Sequence, residues 1–400
     1  MARLGRIIAG CMLLILAAAC QTYPRVEVTS AQLSAASPAI RYDFNLEEAQ
    51  LRFVRELDAA AGSAEDGAVD LLALSGGGAN GAFGAGVLNG WSERGDRPEF
   101  EIVTGVSTGA LIAPFAFIGE AGNPGLTRAF TDGESEGLLR SRGLGALFRP
   151  SVFRPEPLAQ LVVNHVDEAL MRAVAQEHRQ GRRLYVATTS LDTQTQIVWD
   201  MGALAQRTDD ASRLLFMDIL IASASIPVAF PPVALTLSNG DNQAVELHVD
   251  GGTVANVLVA PEPFLLRPPE GAESLTGGLP GRIWIIINGH PEPIFETATL
   301  SGLSVAVRSF DIMRKAITRS DVARTAQLAR TLGMGLDVIS MPDDVPDTPL
   351  DFSQESMLRS YEAGRRMGVD GSGWQTLAEP VVETPSPRAA SICSAKRSNR

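Results

Sequence analysis

Histidine and cysteine are nearly missing from this chain, and that shortage narrows its chemistry before any motif is read. Three cysteines occur in 400 residues, Cys11, Cys20 and Cys393, too few for a disulfide scaffold or a Cys-rich zinc module. The four histidines, His165, His178, His248 and His290, show no His-Glu-x-x-His spacing. A zinc hydrolase is therefore a poor fit, and no metal or other cofactor is expected. Positive charge is short as well: 34 Lys and Arg against 46 Asp and Glu leave a net charge of −12, which opposes a role on nucleic acid. The apolar run Ile7 to Ala19 is too short to cross a ~30 Å hydrocarbon core. What the chain does have is 45% hydrophobic residues, ample for a packed core, and 38 glycines.

Arg3 and Arg6, the apolar run and the small residues that close it form the pattern of a secretory signal over residues 1–19. Its end, Leu16-Ala17-Ala18-Ala19-Cys20, resembles the lipobox of bacterial lipoproteins, with Ala17 where leucine is usual. The resemblance implies lipidation of Cys20 as the mature N-terminus and, with Gln21 rather than Asp next, sorting to the outer membrane. An ordinary Ala-x-Ala cleavage site is the alternative reading. Loss of Arg3 and Arg6 would deepen the net charge from −12 to −14, so a hold on anionic lipid would rest on the acyl chains.

Residues 20–43 are polar and irregular and read as a tether. Over 44–67 a lead-in helix is expected: Asn45 and Glu48 have capping-box spacing, and Leu46, Ala49, Phe53, Leu57 and Ala60 share one helical face. From 68 to 375, β-rich apolar runs alternate with helical patterns. The runs are Val69 to Leu74, Phe100 to Val106, Arg183 to Leu191, Ala244 to Val249 and Arg282 to Ile287, with a late strand at Leu336 to Ser340. This alternation predicts an α/β domain, a three-layer α/β/α arrangement whose central sheet is mostly parallel and covered on both faces. Leu303, Ala306, Val307, Phe310, Met313 and Ile317 carry helical periodicity, and Ser353 to Met367 forms a final helix. Residues 376–400 read as a disordered basic tail, whose Arg388, Lys396, Arg397 and Arg400 are best taken as solvated.

Three local features carry chemistry. Ser75-Gly76-Gly77-Gly78-Ala79-Asn80-Gly81 ends an apolar strand, and consecutive glycines let backbone N–H groups converge on a phosphate or on the oxyanion of an acyl-transfer intermediate. Gly76, Gly78 and Gly81 also fit a dinucleotide fingerprint, but the next strand ends in Gly105-Val106-Ser107 instead of the acidic residue that a ribose needs. Gly105-Val106-Ser107-Thr108-Gly109 has a strand before it and a helix-like run after it, the context of a nucleophile elbow, although a plain Gly/Ser turn has the same letters. Asp250-Gly251-Gly252 follows another strand, so Asp250 projects from the sheet edge where α/β proteins assemble their sites. Alone it would be a turn.

In this order the three resemble the patatin-like phospholipase family: a glycine-rich loop, a G-x-S-x-G serine and a D-G-G aspartate. Ala222-Ser223-Ala224-Ser225-Ile226-Pro227-Val228-Ala229-Phe230-Pro231-Pro232 and the helix Ser356 to Gly368 are similar to further blocks of that family, so the resemblance covers about residues 68 to 368. It implies a serine acyl hydrolase acting on lipid acyl esters without a cofactor, with Ser107 as nucleophile and Asp250 as its base. The amides of Gly76, Gly77 and Gly78 would be oxyanion donors, and Gly105, Gly109, Gly251 and Gly252 supporting motif positions. Asn80 departs from the family's Arg or Lys. An aspartate near pKa 4 is a weak base for a serine hydroxyl, so the scheme requires burial to raise Asp250 or the helix N-terminus to ease Ser107 ionisation.

Chain order alone also allows a Ser107-Asp250-His290 triad, against the simpler reading of His290 as a surface loop residue. His248 shares a strand face with Asp250 and reads as packing more readily than as a tuning group. Phe115, Phe117, Phe230, Pro231 and Pro232 are candidates for an acyl groove, though aromatics after an elbow are more often core. A lipoprotein that keeps the fold as a binding module is the alternative of a different class.

Overall fold

The computed structural model describes residues 25–143, 151–266, 276, 278–295, 297, 299–300 and 302–380. The signal run, Cys20 and tail residues 381–400 lie outside the described residues. The strands are β1 (Arg41–Asp43), β2 (Val69–Leu74), β3 (Ile102–Val106), β4 (Arg183–Ser190), β5 (Thr195–Asp200), β6 (Val233–Asn239), β7 (Asn242–Asp250), β8 (Gly281–Ile287), β9 (Gly335–Ser340) and β10 (Gln375–Ala378). They form one sheet in the order β1-β5-β4-β3-β2-β8-β9-β10, with β7 also paired to β4 and β6 beyond it. Strands β4, β3, β2, β8 and β9 are mutually parallel; the flanking pairs are antiparallel.

Helices α1 (Ser30–Ala36), α2 (Glu47–Ala60), α3 (Gly81–Arg94), α4 (Thr108–Phe117), α5 (Asn123–Thr131), α6 (Glu156–His165), α7 (Glu168–Arg179), α8 (Met201–Ala205), α9 (Asp210–Ser223), α10 (Glu262–Leu266), α11 (Gly302–Leu332) and α12 (Gln354–Asp370) cover the sheet. All six residues of β2 are buried, because an interior parallel strand has a helical layer on each face. Leu72 and Leu74 pack into one core with α3, α4, α9 and α12, while Leu71 and Ala73 pack into a second with Phe53 and Leu57 of α2 and Leu328 of α11. The α/β/α expectation matches this mixed α/β architecture.

Several local expectations differ from what the chain adopts. The tether contains structure from residue 30 onward. Thr29 and Gln32 form a reciprocal capping box on α1, which buries Leu33 and Ala36, and β1 adds to the antiparallel edge at β5. Helix α2 begins without the Asn45 cap: Leu46 is its N-cap and is half exposed, and the Asn45 N–H donates instead to Asp43 Oδ1 at 3.1 Å. Strands β5 and β6 were not apparent because antiparallel hairpins need only a tight turn, so no helical pattern separates them from β4 and β7. Gln375–Ala378 pairs with β9 and belongs to the sheet, not to the tail.

The largest departure is in α11. Of the expected apolar face, Met313 is more than half exposed and Phe310 and Ile317 are half-buried, while the polar Arg314, Lys315, Thr318, Asp321 and Thr325 are buried. The inward polar face meets polar partners: Thr318 Oγ1 accepts from Asn256 Nδ2 at 2.7 Å, and Asp321 Oδ2 accepts from the Asn256 and Val257 amides.

Candidate active site

Strand β3 delivers the chain to Ser107, and α4 leaves it. Ser107 has φ 55° and ψ −124°, a left-handed conformation that costs a side-chain-bearing residue energy and that a nucleophile elbow requires. The flanking glycines permit the sharp turn: a Cβ on Gly109 would lie 2.2 Å from the Leu74 carbonyl oxygen, and one on Gly105 would lie 2.5 Å from that of Gly109. Ser107 is buried, and its Oγ donates to Asp250 Oδ2 at 2.6 Å.

Asp250 ends β7 opposite Thr188 of β4. Its other oxygen, Oδ1, accepts from the Gly252 N–H at 2.8 Å, and its own N–H donates to the Ser225 carbonyl at 3.0 Å. Burial pushes the Asp250 carboxyl up to about 7, although the Ser107 hydroxyl, the Gly252 N–H and the Arg314 charge all pull it down. Burial thus shifts this carboxyl in the direction that a base would need.

The glycine loop is held from two sides. Asn288 donates through its N–H to Ser75 Oγ at 2.8 Å and through Nδ2 to the Ser75 carbonyl at 2.7 Å. Gly78 has φ +60°, and a Cβ there would lie 2.1 Å from the Pro349 carbonyl oxygen. The three amides are not equivalent. The Gly76 N–H donates to the Asn256 carbonyl at 3.3 Å, whereas those of Gly77 and Gly78 have no protein acceptor among the described residues.

Two cavities meet at Ser107. One is lined by Gly76, Gly77, Gly78, Asp250, Gly252 and Arg314 among others, and so gathers the three sequence motifs. Both have mostly apolar walls: Phe153, Val228, Phe310 and Met313 also line the first, and Leu111, Phe115, Leu158 and Phe230 the second, with Ser135 and His165. Of the aromatic candidates, Phe115 and Phe230 thus reach a cavity. Phe117 is fully buried core with the Arg182 guanidinium 4.9 Å from its ring centre, and Pro231 and Pro232 line neither cavity.

The histidines lie elsewhere. His290 is buried, not on the surface, and its Nε2 is 2.8 Å from the Val345 carbonyl, so the hydrogen bonds of Asp250 go to Ser107 and Gly252 and not to a third triad member. His248 does more than fill space. It is fully buried between Thr188 Oγ1 at 2.9 Å and Glu246 Oε2 at 3.0 Å, and Arg41 also pairs with Glu246 at 2.8 Å. Among the described residues, Asp132, Glu134 and His165 bring possible metal-ligand atoms within 4.8 Å of one another, an arrangement that surface acids commonly make without an ion.

Sequence reasoning assigned no role to Ser223, Asn256 or Arg314. Ser223 Oγ accepts from the Ser107 N–H at 3.0 Å and donates to the Ala187 carbonyl at 2.7 Å. Its signal was present in the Ala-Ser-x-Ser-x-Pro run. Arg314 was hidden inside a helical apolar pattern.

Comparison with known proteins bears on this geometry. A family model described as patatin-like phospholipase matches residues 72–261, a span that holds the glycine loop, Ser107 and Asp250. Over this stretch, a little under half of the chain, the sequence is similar to the patatin-like phospholipase family. The patatin-like match ends before β8, α11, β9 and α12, so it stops short of residue 368. Among solved structures the chain is similar to the crystal structure of VipD from Legionella pneumophila, with 14% identity over 77% of this chain and 67% of that one, and a TM-score of 0.35. Among curated proteins no match was found.

Proposed function

We propose that this protein is a serine acyl hydrolase that cleaves lipid acyl esters through a Ser107–Asp250 dyad. The observation that carries the reading is the 2.6 Å hydrogen bond from Ser107 Oγ to a carboxylate whose burial holds it near neutral pKa. Ser107 Oγ attacks the ester carbonyl carbon while Asp250 Oδ2 takes the hydroxyl proton. Negative charge then gathers on the carbonyl oxygen. The N–H groups of Gly77 and Gly78, which have no acceptor among the described residues, are placed to receive it ahead of Gly76, whose N–H donates to Asn256, and the N-terminus of α4 adds its dipole. The leaving alcohol takes the proton back from Asp250. Water, deprotonated by the same carboxylate, then releases the acyl group from Ser107 as a free acid.

The apolar cavity suits the acyl chain, since Leu111, Leu158 and Phe230 offer it no polar competitor. In the same reading Cys20 is the lipidated N-terminus that holds the enzyme to a membrane, on the strength of Leu16-Ala17-Ala18-Ala19-Cys20.

The test is covalent. Protein lacking residues 1–20 is expected to hydrolyse p-nitrophenyl esters and to react one-to-one with a fluorophosphonate, while Ser107→Ala does neither. Labelling that persists in the alanine variant overturns the assignment, and a folded wild type that neither labels nor hydrolyses points instead to a binding module.

A further inference from the structure

Arg314 is a permanently charged side chain on the wall of the cavity that holds Ser107 and Asp250, and it is only 6% exposed. Its neighbours in sequence, Ile312 and Met313, are more than half exposed. The helix thus buries its guanidinium in the cavity wall that Phe310 and Met313 also line, against the cost of desolvating a charge. Two carboxylates lie near it: Asp311 Oδ1 accepts from Nη2 at 2.7 Å, and Asp347 Oδ2 is 3.8 Å away. Neither depends on Arg314 alone. Asp347 is already held by Lys315 Nζ at 2.7 Å and by Asn80 Nδ2 at 2.5 Å, and Asp311 has a second cation in Arg308 at 3.7 Å. Arg314 can therefore turn toward a ligand without stranding a buried carboxylate.

The glycine loop brings no charge of its own, because Asn80 is neutral and its amide is engaged with Asp347. Among the described residues the apolar cavity has no lysine or arginine in its wall. An ester lying across Ser107 with its acyl chain in that cavity has its alcohol portion on the Arg314 side.

We propose that Arg314 is a specificity-determining residue that receives the phosphate of a phospholipid on the alcohol side of the scissile ester. This rests on the acyl-hydrolase reading above. A guanidinium fork matches two phosphate oxygens and gains nothing from the hydroxyls of a neutral glyceride, so it discriminates between esters that share one acyl chain.

The experiment compares 1-palmitoyl lysophosphatidylcholine with 1-palmitoylglycerol as substrates of the full chain in detergent micelles. Wild type is expected to show the higher kcat/KM on the phosphate-bearing ester. In Arg314→Gln the ratio of the two kcat/KM values should fall by about tenfold or more, the usual size of a lost charged hydrogen bond, and Arg314→Lys should retain part of it. A ratio within twofold of wild type in a folded Arg314→Gln, or a wild type that prefers the neutral ester, overturns the proposal. If the glutamine variant does not fold, the wild-type preference and the lysine ratio decide, and an unchanged lysine ratio in a wild type without preference counts against it. Should neither ester be cleaved, the Arg314 assignment falls too. Fluorophosphonate labelling of Ser107 then tells which reading failed: an unlabelled serine sinks the hydrolase, a labelled one the lipid specificity.

Discussion

Ser223 holds the backbone of Ser107. Its hydroxyl accepts from the Ser107 N–H at 3.0 Å and donates to the Ala187 carbonyl at 2.7 Å, so the end of α9 ties the strained elbow to β4. Ser223→Ala leaves a buried donor and a buried acceptor unmade, at a cost of about 1–3 kcal/mol in stability. With the elbow released, kcat should fall more than KM rises, and Ser223→Thr should restore part of the loss. A lowered melting temperature with kcat unchanged would show that the serine is structural only.

The pH dependence follows from Asp250. A base must be ionised, and burial has raised this carboxyl to about 7, so kcat/KM should rise with pH and level off above an inflection near neutrality. Asp250→Asn should lower kcat by at least ~10², the usual range for loss of a general base. His290→Ala should leave the inflection in place and lower the melting temperature, because the buried Val345 carbonyl loses its donor. An inflection that disappears in the His290 variant would restore the triad.

Stability carries the opposite sign. Because Asp250 binds its proton more tightly when folded than when unfolded, the folded state loses stability as pH rises from about 4 to about 7. Above that window the loss amounts to a few kcal/mol at roughly 1.4 per pKa unit. Asp250→Asn removes the titration. The variant should melt above wild type at pH 8, and the difference should shrink at pH 5. Equal gaps at the two pH values would mean that the carboxyl is not held near neutrality by burial.

The anchor can be tested without reference to catalysis. Three acyl chains on Cys20 would hold the protein in membranes despite a mature charge of −14, and high salt would leave it there, since screening does not weaken a hydrophobic attachment. Cys20→Ser is expected to shift the protein to a soluble or unprocessed form in fractionation. Mass spectrometry that finds an unmodified residue at the mature N-terminus removes the anchor and leaves the hydrolase reading intact.

Much of this protein was legible in its letters because the relevant signals are local. A short apolar run such as Leu71 to Leu74 reads as part of an interior strand or of a buried helix, and the glycines that follow it decide for the strand. Gly105 and Gly109 mark the elbow because any side chain there would strike backbone. What the tertiary structure alone decided is how donors, acceptors and solvent are shared between distant segments. It joined Ser107 to Asp250 across 143 positions, raised that aspartate by removing its water, and spent the Gly76 amide on Asn256. It also buried Arg314 and Asp321 on α11, the helix that puts Leu328 into the core, in a stretch whose apolar periodicity gave no sign of them. Periodicity counts residue types along one segment, whereas hydrogen bonding and desolvation depend on which other segment arrives opposite, and no single stretch of sequence carries that information.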